Sequence, residues 1–212
     1  MRIFLLFLTS IVVAAMVLGC QARQAASPVE ETLSMAVAAF HQAGSVEELL
    51  AGHIPPGSET ASAESLRSLD AYLGSQLSSR GRAHMDVSLT TPCEEQTAQA
   101  MSEEPGSALE YWVKVGQCVS ADYVLVPQVV YWKERQGSAV GSVEPAGVAI
   151  DFYVVDVKGF GLVTRYHYEE TQVALSDNLL TIDAFVSRGG QWVMAEELAK
   201  EAITKALDQF GL

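Results

Sequence analysis

Three segments in the second half of the chain carry the β-branched and aromatic residues that are typical of strands. They span 123–134, 147–157 and 162–170. The middle segment is apolar at both of its alternating sets of positions, which are Val148, Ile150, Phe152 and Val154 on one side and Ala149, Tyr153 and Val155 on the other. A strand that is apolar on both sides is usually covered on both faces, so this segment is predicted to lie at the centre of a sheet. The short stretch 156–161, with two glycines, predicts a tight hairpin between the second and third strands.

Helical spacing of apolar residues, together with capping signals, predicts helices on either side of these strands. The predicted helices span 28–44, 62–79, 92–103, 107–118, 176–187 and 195–210. Proline at the first helical position supports the first and third of them, because the amide hydrogen that proline lacks is not needed there. Gly44, at the end of the first segment, and Gly81, just after the second, are typical of helix ends.

Shorter segments carry weaker signals. Residues 45–50 favour one helical turn, and 51–56 favours a short strand that ends at two prolines. Residues 83–90 alternate and predict a strand with Met85, Val87 and Leu89 on one side, while 191–193 predicts a brief extended piece. The whole order predicts one α/β (α+β) domain: a mixed sheet of about four to five strands with a long antiparallel hairpin, and helices packed on it.

The N-terminus has the pattern of a secretory leader. Arg2 supplies a positive charge, and residues 3–18 are apolar and uncharged but too short to span a bilayer comfortably. This run ends in Leu18-Gly19-Cys20, which resembles the bacterial lipobox and marks Cys20 as the lipidated first residue of the mature protein. Two alternatives are an ordinary cleaved signal that happens to contain a cysteine and an uncleaved anchor helix.

The leader divides the chain into a cleavable lipoprotein signal peptide over 1–19, a tether over 20–27 and a single periplasm-facing domain over 28–212. Gln21 rather than aspartate follows the lipidated cysteine. Under the sorting rule of enterobacterial lipoproteins, this residue implies an anchor in the inner leaflet of the outer membrane.

The charge balance limits the possible partners. The formal net charge is −13, and removal of the leader takes away only Arg2 among the charged side chains. An acidic surface repels phosphates and anionic headgroups, so the sequence disfavours nucleic-acid binding and membrane attachment through a basic patch. Attachment to a membrane is therefore assigned to the N-terminal lipid.

Motifs for catalysis or cofactor binding are missing from the sequence. The four histidines show no metal-ligand spacing, no glycine-rich phosphate loop follows a strand, and no Gly-x-Ser-x-Gly elbow occurs. Asp151 and Asp156 are five residues apart on one strand, so they are expected on opposite faces and are poor candidates for a catalytic carboxylate pair. We therefore predict no catalytic residue, no metal site and no cofactor, and we expect the protein not to be an enzyme.

Two cysteines remain after Cys20. Cys93 and Cys118 are an even pair in an oxidising compartment, which favours a disulfide. Two independent buried thiols remain the alternative, because spacing alone does not show that the Cα atoms come within bonding distance.

Aromatic and basic residues near the strand ends are candidates for partner binding. Tyr131 and Trp132 lie beside a run of charged residues, and Arg165 and His167 lie on the third strand. Tyrosine, tryptophan and arginine are typical of binding hot spots, although an aromatic pair at a sheet margin is also typical of ordinary packing. Pro127 cannot donate a hydrogen bond and predicts an edge, a bulge or a pairing defect in its strand.

The order of elements over about 50–171 resembles the domain shared by the curli-secretion lipoprotein CsgG and the N-terminal domain of TolB. The similarity is carried by 121–127 (ADYVLVP) and by 154–159 (VVDVKG), after a helix with regularly spaced leucines. Proline and lysine stand at 127 and 158, where the family usually has glycine and threonine. The membrane-spanning hairpins of the curli family are not evident, so the resemblance implies a periplasm-facing interaction module rather than a pore or an enzyme.

These observations predict a non-catalytic envelope lipoprotein that binds a protein partner in envelope assembly, secretion or activation of a cell-wall synthase, with homo-oligomerisation possible. One alternative is a periplasmic hydrolase, which would need His167, a carboxylate and a hydroxyl within hydrogen-bond reach. Another is a small-ligand carrier, which would need a deep apolar cavity between helices and sheet.

Overall fold

The computed structural model describes residues 29–30, 32–138, 141–172 and 188–212. Within these ranges the strands are β1 (Met35–Val37), β2 (His41–Gln42), β3 (Tyr123–Lys133), β4 (Gln136–Ser138), β5 (Gly141–Glu144), β6 (Gly147–Asp156) and β7 (Gly161–Thr171). The helices are α1 (Ala63–Ser79), α2 (Val87–Glu103), α3 (Ala108–Cys118) and α4 (Ala195–Phe210). The predicted fold class, α/β with a mixed sheet, is confirmed.

The sheet has five strands. Four of them follow the order β1-β3-β6-β7, and the fifth, β2, pairs with the same edge of β3 as β1 does, further along that strand. The β1 and β2 strands run parallel to β3, whereas β3 pairs with β6 and β6 with β7 in antiparallel fashion. The central position predicted for β6 is confirmed. The β4 and β5 strands form a separate hairpin in the connection between β3 and β6, which the sequence reasoning did not predict.

Helices cover both faces of this sheet. On the back face, α1 and α4 pack against Val148, Ile150, Phe152 and Val154 of β6. On the front face, Trp112, Val113 and Val115 of α3 pack against Tyr153 and Val155. The two apolar sets of β6 therefore face two different cores, as their alternation predicts.

The helix predicted over 28–44 is wrong, because β1 and β2 occupy its second half. Met35, Ala36 and Val37 are all buried and pair in register with Tyr123–Leu125. An amphipathic helix would bury only one stripe of this segment, whereas a strand inserted between two layers buries every residue.

The strand predicted over 83–90 is also wrong. Only Met85 contributes, through an isolated bridge to Ala36. The Asp86 side chain then accepts a hydrogen bond from the Ser88 amide and caps α2, so α2 begins five residues before its predicted start, with Pro92 inside it. Because Pro92 has no amide hydrogen, the Ser88 carbonyl has no hydrogen-bond donor within the helix. Ser88 is exposed, so water can donate to this carbonyl instead.

The remaining predictions have mixed outcomes. No strand forms over 51–56 or 191–193, while the helical turn at Val46–Glu48 and the helices α1, α3 and α4 agree with their predicted spans. The leader, the tether and the helix predicted over 176–187 lie outside the described residues. No helix in the described ranges is both long and apolar enough to cross a membrane.

Pro127 lies in a gap in the sheet. The β1 strand pairs with β3 up to Leu125, and β2 resumes at Gln128, so no ladder bond is required from Pro127 on that side. The predicted pairing defect is therefore present, and it accounts for a proline inside an otherwise central strand.

Candidate functional site

A row of polar residues crosses the front face of the sheet. Register places His41 of β2 opposite Gln128 of β3, Gln128 opposite Asp151 of β6, and Asp151 opposite His167 of β7. Residues paired directly across strands point to the same face. These four side chains, which we call the polar row, therefore lie side by side in a sheet that is otherwise apolar at its centre.

Gln128 occupies the buried middle of the polar row. Its Nε2 donates to the carbonyl of Glu48 and contacts His41 Nε2 at 3.0 Å, while its Oε1 accepts from the Leu50 amide. The side-chain amide of Gln128 therefore connects the helical turn at Val46–Glu48 to strand β3. Burial lowers the pKa of His41, so this imidazole is neutral and can accept the hydrogen bond.

Asp151 lies at the other end of the row and is 2% exposed. Its Oδ1 accepts from Arg165 Nε at 3.1 Å, Arg165 Nη2 at 2.9 Å and His167 Nδ1 at 2.9 Å. The Arg165 and His167 side chains are 36% and 45% exposed. A buried carboxylate thus fixes the orientation of two exposed basic side chains on β7.

This role of Asp151 is not predicted from the sequence pattern, in which Asp151 stands out only as a possible partner of Asp156, five residues along the same strand. The signal that was present is an aspartate in a run of apolar strand residues, because a buried carboxylate requires a hydrogen-bonding partner. Which residue supplies that partner depends on the register between β6 and β7.

The contact between His167 and Asp151 supplies two of the three groups that a hydrolase of the serine type would need. The third, a hydroxyl or thiol nucleophile, should hydrogen-bond the imidazole. Within the described ranges, His167 also lies close to the Glu169 carboxylate, which is 3.6 Å from its Nε2. The contact with Asp151 therefore orients the His167 imidazole and links β6 to β7. No hydroxyl or thiol of the described residues hydrogen-bonds this imidazole.

Tyr131 and Trp132 do not form a joint surface. A register shift between Val129 and Tyr131 places Tyr131 on the front face, where it is half-buried, and Trp132 on the back face. Trp132 is fully buried, and its Nε1 donates to Glu134 Oε1 at 2.9 Å. The indole is thus part of the core and is not accessible to a partner, whereas Tyr131 shares the front face with Arg165 and His167.

Two of the cysteines lie together at the packing of α2 against α3. Cys93 and Cys118 form a disulfide in the structure, with their Cα atoms 5.8 Å apart. The bond closes a segment with a sequence separation of 25. Cys20, the predicted lipidation site, lies outside the described residues.

A cleft of about 450 Å³ opens on the front side, between the turn at Val46–Glu48 and the helices α2 and α3. Its walls include three carboxylates and three aromatic rings. We call it the acidic cleft and define it by His41, Glu47, Glu48, Glu94, Tyr111 and Trp112. The sequence reasoning did not identify it, because its residues come from four separate elements.

Glu94 is the most perturbed acid of this cleft. Its Oε1 accepts from the Ala39 amide at 3.2 Å, next to Phe40, whose amide donates to Asp70 Oδ1 at 2.7 Å. Burial raises the pKa of Glu94 to about 7, and the nearby charge of Asp70 adds to this effect. The carboxylates of Glu94 and Asp70 therefore accept hydrogen bonds from two backbone amides between β1 and β2. Their ionised forms are unfavourable here, because burial removes hydration and the two negative charges repel each other.

We expect Glu94→Gln to stabilise the protein above neutral pH. In the folded state the pKa of Glu94 is about 7, against 4.5 for the ordinary side chain. As pH rises from 4.5, the unfolded chain releases this proton first, so the native state loses stability until its own carboxyl ionises near pH 7. Glutamine keeps the acceptor for Ala39 without this loss, which is on the order of 3 kcal/mol above pH 7.

The measurement is the free energy of unfolding in urea at pH 4.5 and pH 8. The Gln variant should match the natural protein at pH 4.5 and exceed it at pH 8. Glu95→Gln, at an exposed neighbouring position of α2, is the matched control and should show a much smaller difference between the two pH values. Equal behaviour of the two variants would contradict the burial argument.

The described residues contain no group of three or more histidine, cysteine, aspartate or glutamate side chains that could hold a metal ion.

Comparisons with known proteins give distant structural likeness and no family. No family model matches the chain. No curated protein matches it either. Among solved structures, the PelC dodecamer of Paraburkholderia phytofirmans is 16% identical, with a TM-score of 0.48, and the match covers 88% of this chain and 93% of that one.

Two further solved structures show a similar level of likeness. The C-terminal domain of LpoB from Salmonella enterica is 14% identical, with a TM-score of 0.42, over 69% of this chain and 88% of that one. A lipoprotein of Neisseria meningitidis is 15% identical, with a TM-score of 0.41, over 74% and 98%. The resemblance to CsgG and TolB stays a prediction, and what this chain does is inferred from its own residues.

Proposed function

We propose that this chain is a lipid-anchored protein of the bacterial cell envelope that acts by binding a protein partner rather than by catalysis. The observation that carries the proposal is the apolar leader that ends in Leu18-Gly19-Cys20, followed by a folded α/β domain. A cysteine directly after such a leader is a restrictive pattern. The lipid on Cys20 places the domain on the periplasmic side, at the inner leaflet of the outer membrane.

Confinement by the lipid is the proposed mechanism. The tether over 20–27 keeps the domain close to one membrane, which raises its effective concentration for partners in the same layer. The processes in which we propose that it acts are assembly of the envelope, secretion or activation of a cell-wall synthase.

The front face of β7 is the proposed partner surface. Arg165 and His167 are exposed, and the buried Asp151 holds both in fixed orientations. Side chains that are already ordered lose little conformational entropy when a partner binds. Tyr131 lies on the same face across β6, so an aromatic and two basic groups can contact one partner.

A periplasmic hydrolase is the second candidate, favoured by the single contact of 2.9 Å between His167 Nδ1 and Asp151 Oδ1. A turnover assay that responds to His167→Gln would support it. A small-ligand carrier is less favoured, because helices fill both faces of the sheet with packed side chains in the described part of the chain.

The anchor is tested by mass spectrometry of the protein purified from membranes. We expect a mature chain that starts at a diacylglyceryl-modified Cys20 and is absent from membranes in the Cys20→Ser variant. A chain that starts at Met1 and is recovered from the cytosol would overturn the proposal.

The partner surface is tested by photo-crosslinking in intact cells. A crosslinking residue at Leu162 or Glu169, both exposed on β7, should capture a discrete protein. The same residue at Glu64 or Ser75, exposed on α1, serves as the matched control and should capture nothing comparable. Identical patterns from both helix and strand positions would contradict a partner surface on β7.

A further inference from the structure

We infer that the acidic cleft is a second binding surface and that it takes a lysine or arginine side chain from a basic segment of a partner protein. The inference rests on the proposed function only in that the partner is a protein. The cleft lies beside β2, at the opposite edge of the sheet from β7, so the two surfaces can be tested independently.

The shape of the cleft suits an extended side chain. Its volume of about 450 Å³ lies in the range of pockets that enclose small organic groups. One wall is the turn at Val46–Glu48 with His41, and the other is formed by α2 and α3. Tyr111 donates its hydroxyl hydrogen to the Glu94 carbonyl, and the Cys93–Cys118 disulfide also joins α2 to α3. The second wall is therefore held together before any ligand arrives.

The charge of the cleft selects a cation. Glu47, Glu48 and Glu94 line it, and no lysine or arginine does. Glu48 and Glu94 accept hydrogen bonds from the backbone amides of Gly44 and Ala39, and no ion pair within the described ranges involves them.

A partly buried carboxylate without a counter-cation is unfavourable in its ionised form, because burial removes its hydration. Glu94 is in this position, since its neighbours Asp70 and Glu95 are also acids. An incoming ammonium or guanidinium group would supply the missing opposite charge. An anionic or phosphorylated ligand would meet repulsion from the same three carboxylates.

The Tyr111 ring adds an aromatic surface that an organic cation can contact. Trp112 is only 3% exposed and supports this ring from within the protein, with centroids 4.9 Å from Tyr111 and 5.5 Å from His41. Aromatic rings attract ammonium and guanidinium groups and also pack against the methylene stem of lysine or arginine. Carboxylates next to rings therefore fit a basic side chain better than they fit an inorganic ion.

The test uses acetylated tetralysine amide as the probe and the ¹⁵N-labelled mature chain, which begins at Cys20, in detergent micelles. Titration should shift the backbone amide signals of Ala98, Met101 and Ala108, which line the cleft. Acetylated tetraglutamate amide, at the same concentration, should shift none of them.

Two double variants with the same net charge separate a site from general attraction. Glu47→Gln combined with Glu94→Gln should weaken tetralysine binding about tenfold, because two charge-assisted contacts are lost. Glu64→Gln combined with Glu169→Gln, at exposed positions outside the cleft, should weaken it less than twofold at 0.15 M salt, where distant charges are screened. Urea unfolding of both variants verifies that they remain folded.

Equal weakening by the two double variants, or amide shifts spread over the whole surface, would overturn the inference. So would tight binding of tetraglutamate. Capture of a partner through β7 by a protein whose cleft does not bind tetralysine would reject the cleft and leave the proposed function standing. Tetralysine binding in the cleft without capture through β7 would support the cleft and contradict the proposed partner surface on β7.

Discussion

Replacing Arg165 with methionine should lower the free energy of unfolding by about 3 kcal/mol. The change removes two of the three hydrogen bonds that Asp151 Oδ1 receives, and Asp151 is only 2% exposed. A buried carboxylate that loses its cationic partner keeps the cost of desolvation without the compensating attraction, which typically amounts to about 3–5 kcal/mol. The lower end is expected here because His167 still donates to the same oxygen.

A double variant separates loss of the pair from loss of packing. Asp151→Val combined with Arg165→Met replaces the pair with apolar side chains and should recover most of the lost stability, because a well-packed apolar pair often equals a buried ion pair. The measurement is urea unfolding of both single variants and the double variant. Additive losses would show that the two residues do not act together.

An exposed ion pair on the same sheet provides the control. Lys158 pairs with Asp122 at 2.6 Å, but its side chain is 81% exposed. Lys158→Met should therefore change the free energy of unfolding far less than Arg165→Met does, because solvent screens an exposed pair. A loss as large as that of Arg165→Met would contradict the assignment of the effect to burial.

Removing the disulfide should also cost about 3 kcal/mol. The cross-link between Cys93 and Cys118 closes a segment with a sequence separation of 25, and a loop of this length restricts the unfolded chain by roughly that amount. The expected result is a lower urea midpoint for the variant with Cys93→Ser and Cys118→Ser. Mass spectrometry after thiol labelling, with and without reductant, establishes whether the bond is present in the purified protein.

Reductant gives the matched control for the disulfide. Dithiothreitol should destabilise the natural protein to nearly the level of the double serine variant and should leave that variant unchanged. If the natural protein unfolds at the same urea concentration with and without reductant, the cysteines do not act as a cross-link.

Strong periodicity allowed much of this fold to be predicted. The β6 strand is apolar on both of its faces, and this pattern predicted its central position. The helices α1 and α4 have apolar residues on one stripe and capping signals at their ends, as at Ser62. In each case the burial of the element and its local pattern agree, so no information from distant residues was needed.

The secondary-structure predictions were wrong where the same residues fit two different patterns. Residues 35–37 fit a helical stripe and a fully buried strand, and pairing with β3 selects the strand. Residues 92–94 carry a helix-start signal, but Asp86 supplies an earlier cap for α2. A helix cap is worth about 1 kcal/mol, which is less than the burial of a single large apolar side chain.

The candidate site was predictable only in its residue types. Arg165 and His167 are predicted from the sequence as candidates for partner binding, and in the structure both side chains are exposed. The position of Trp132 was not predictable, because one register shift after Val129 moves it to the opposite face. Likewise, the acidic cleft joins residues of four elements that are far apart in the chain.

The sequence is sufficient to establish the acidic character of the chain and the long strands and helices whose burial follows their own periodicity, while the leader stays a prediction. The contacts of Asp151 with Arg165 and His167, and the position of Glu94 beside Ala39 in a cleft without lysine or arginine, come from the tertiary structure. Periodicity records which side of an element is apolar, and this information is local. Register and helix packing decide which polar groups become neighbours, and they depend on the free energy of the whole fold.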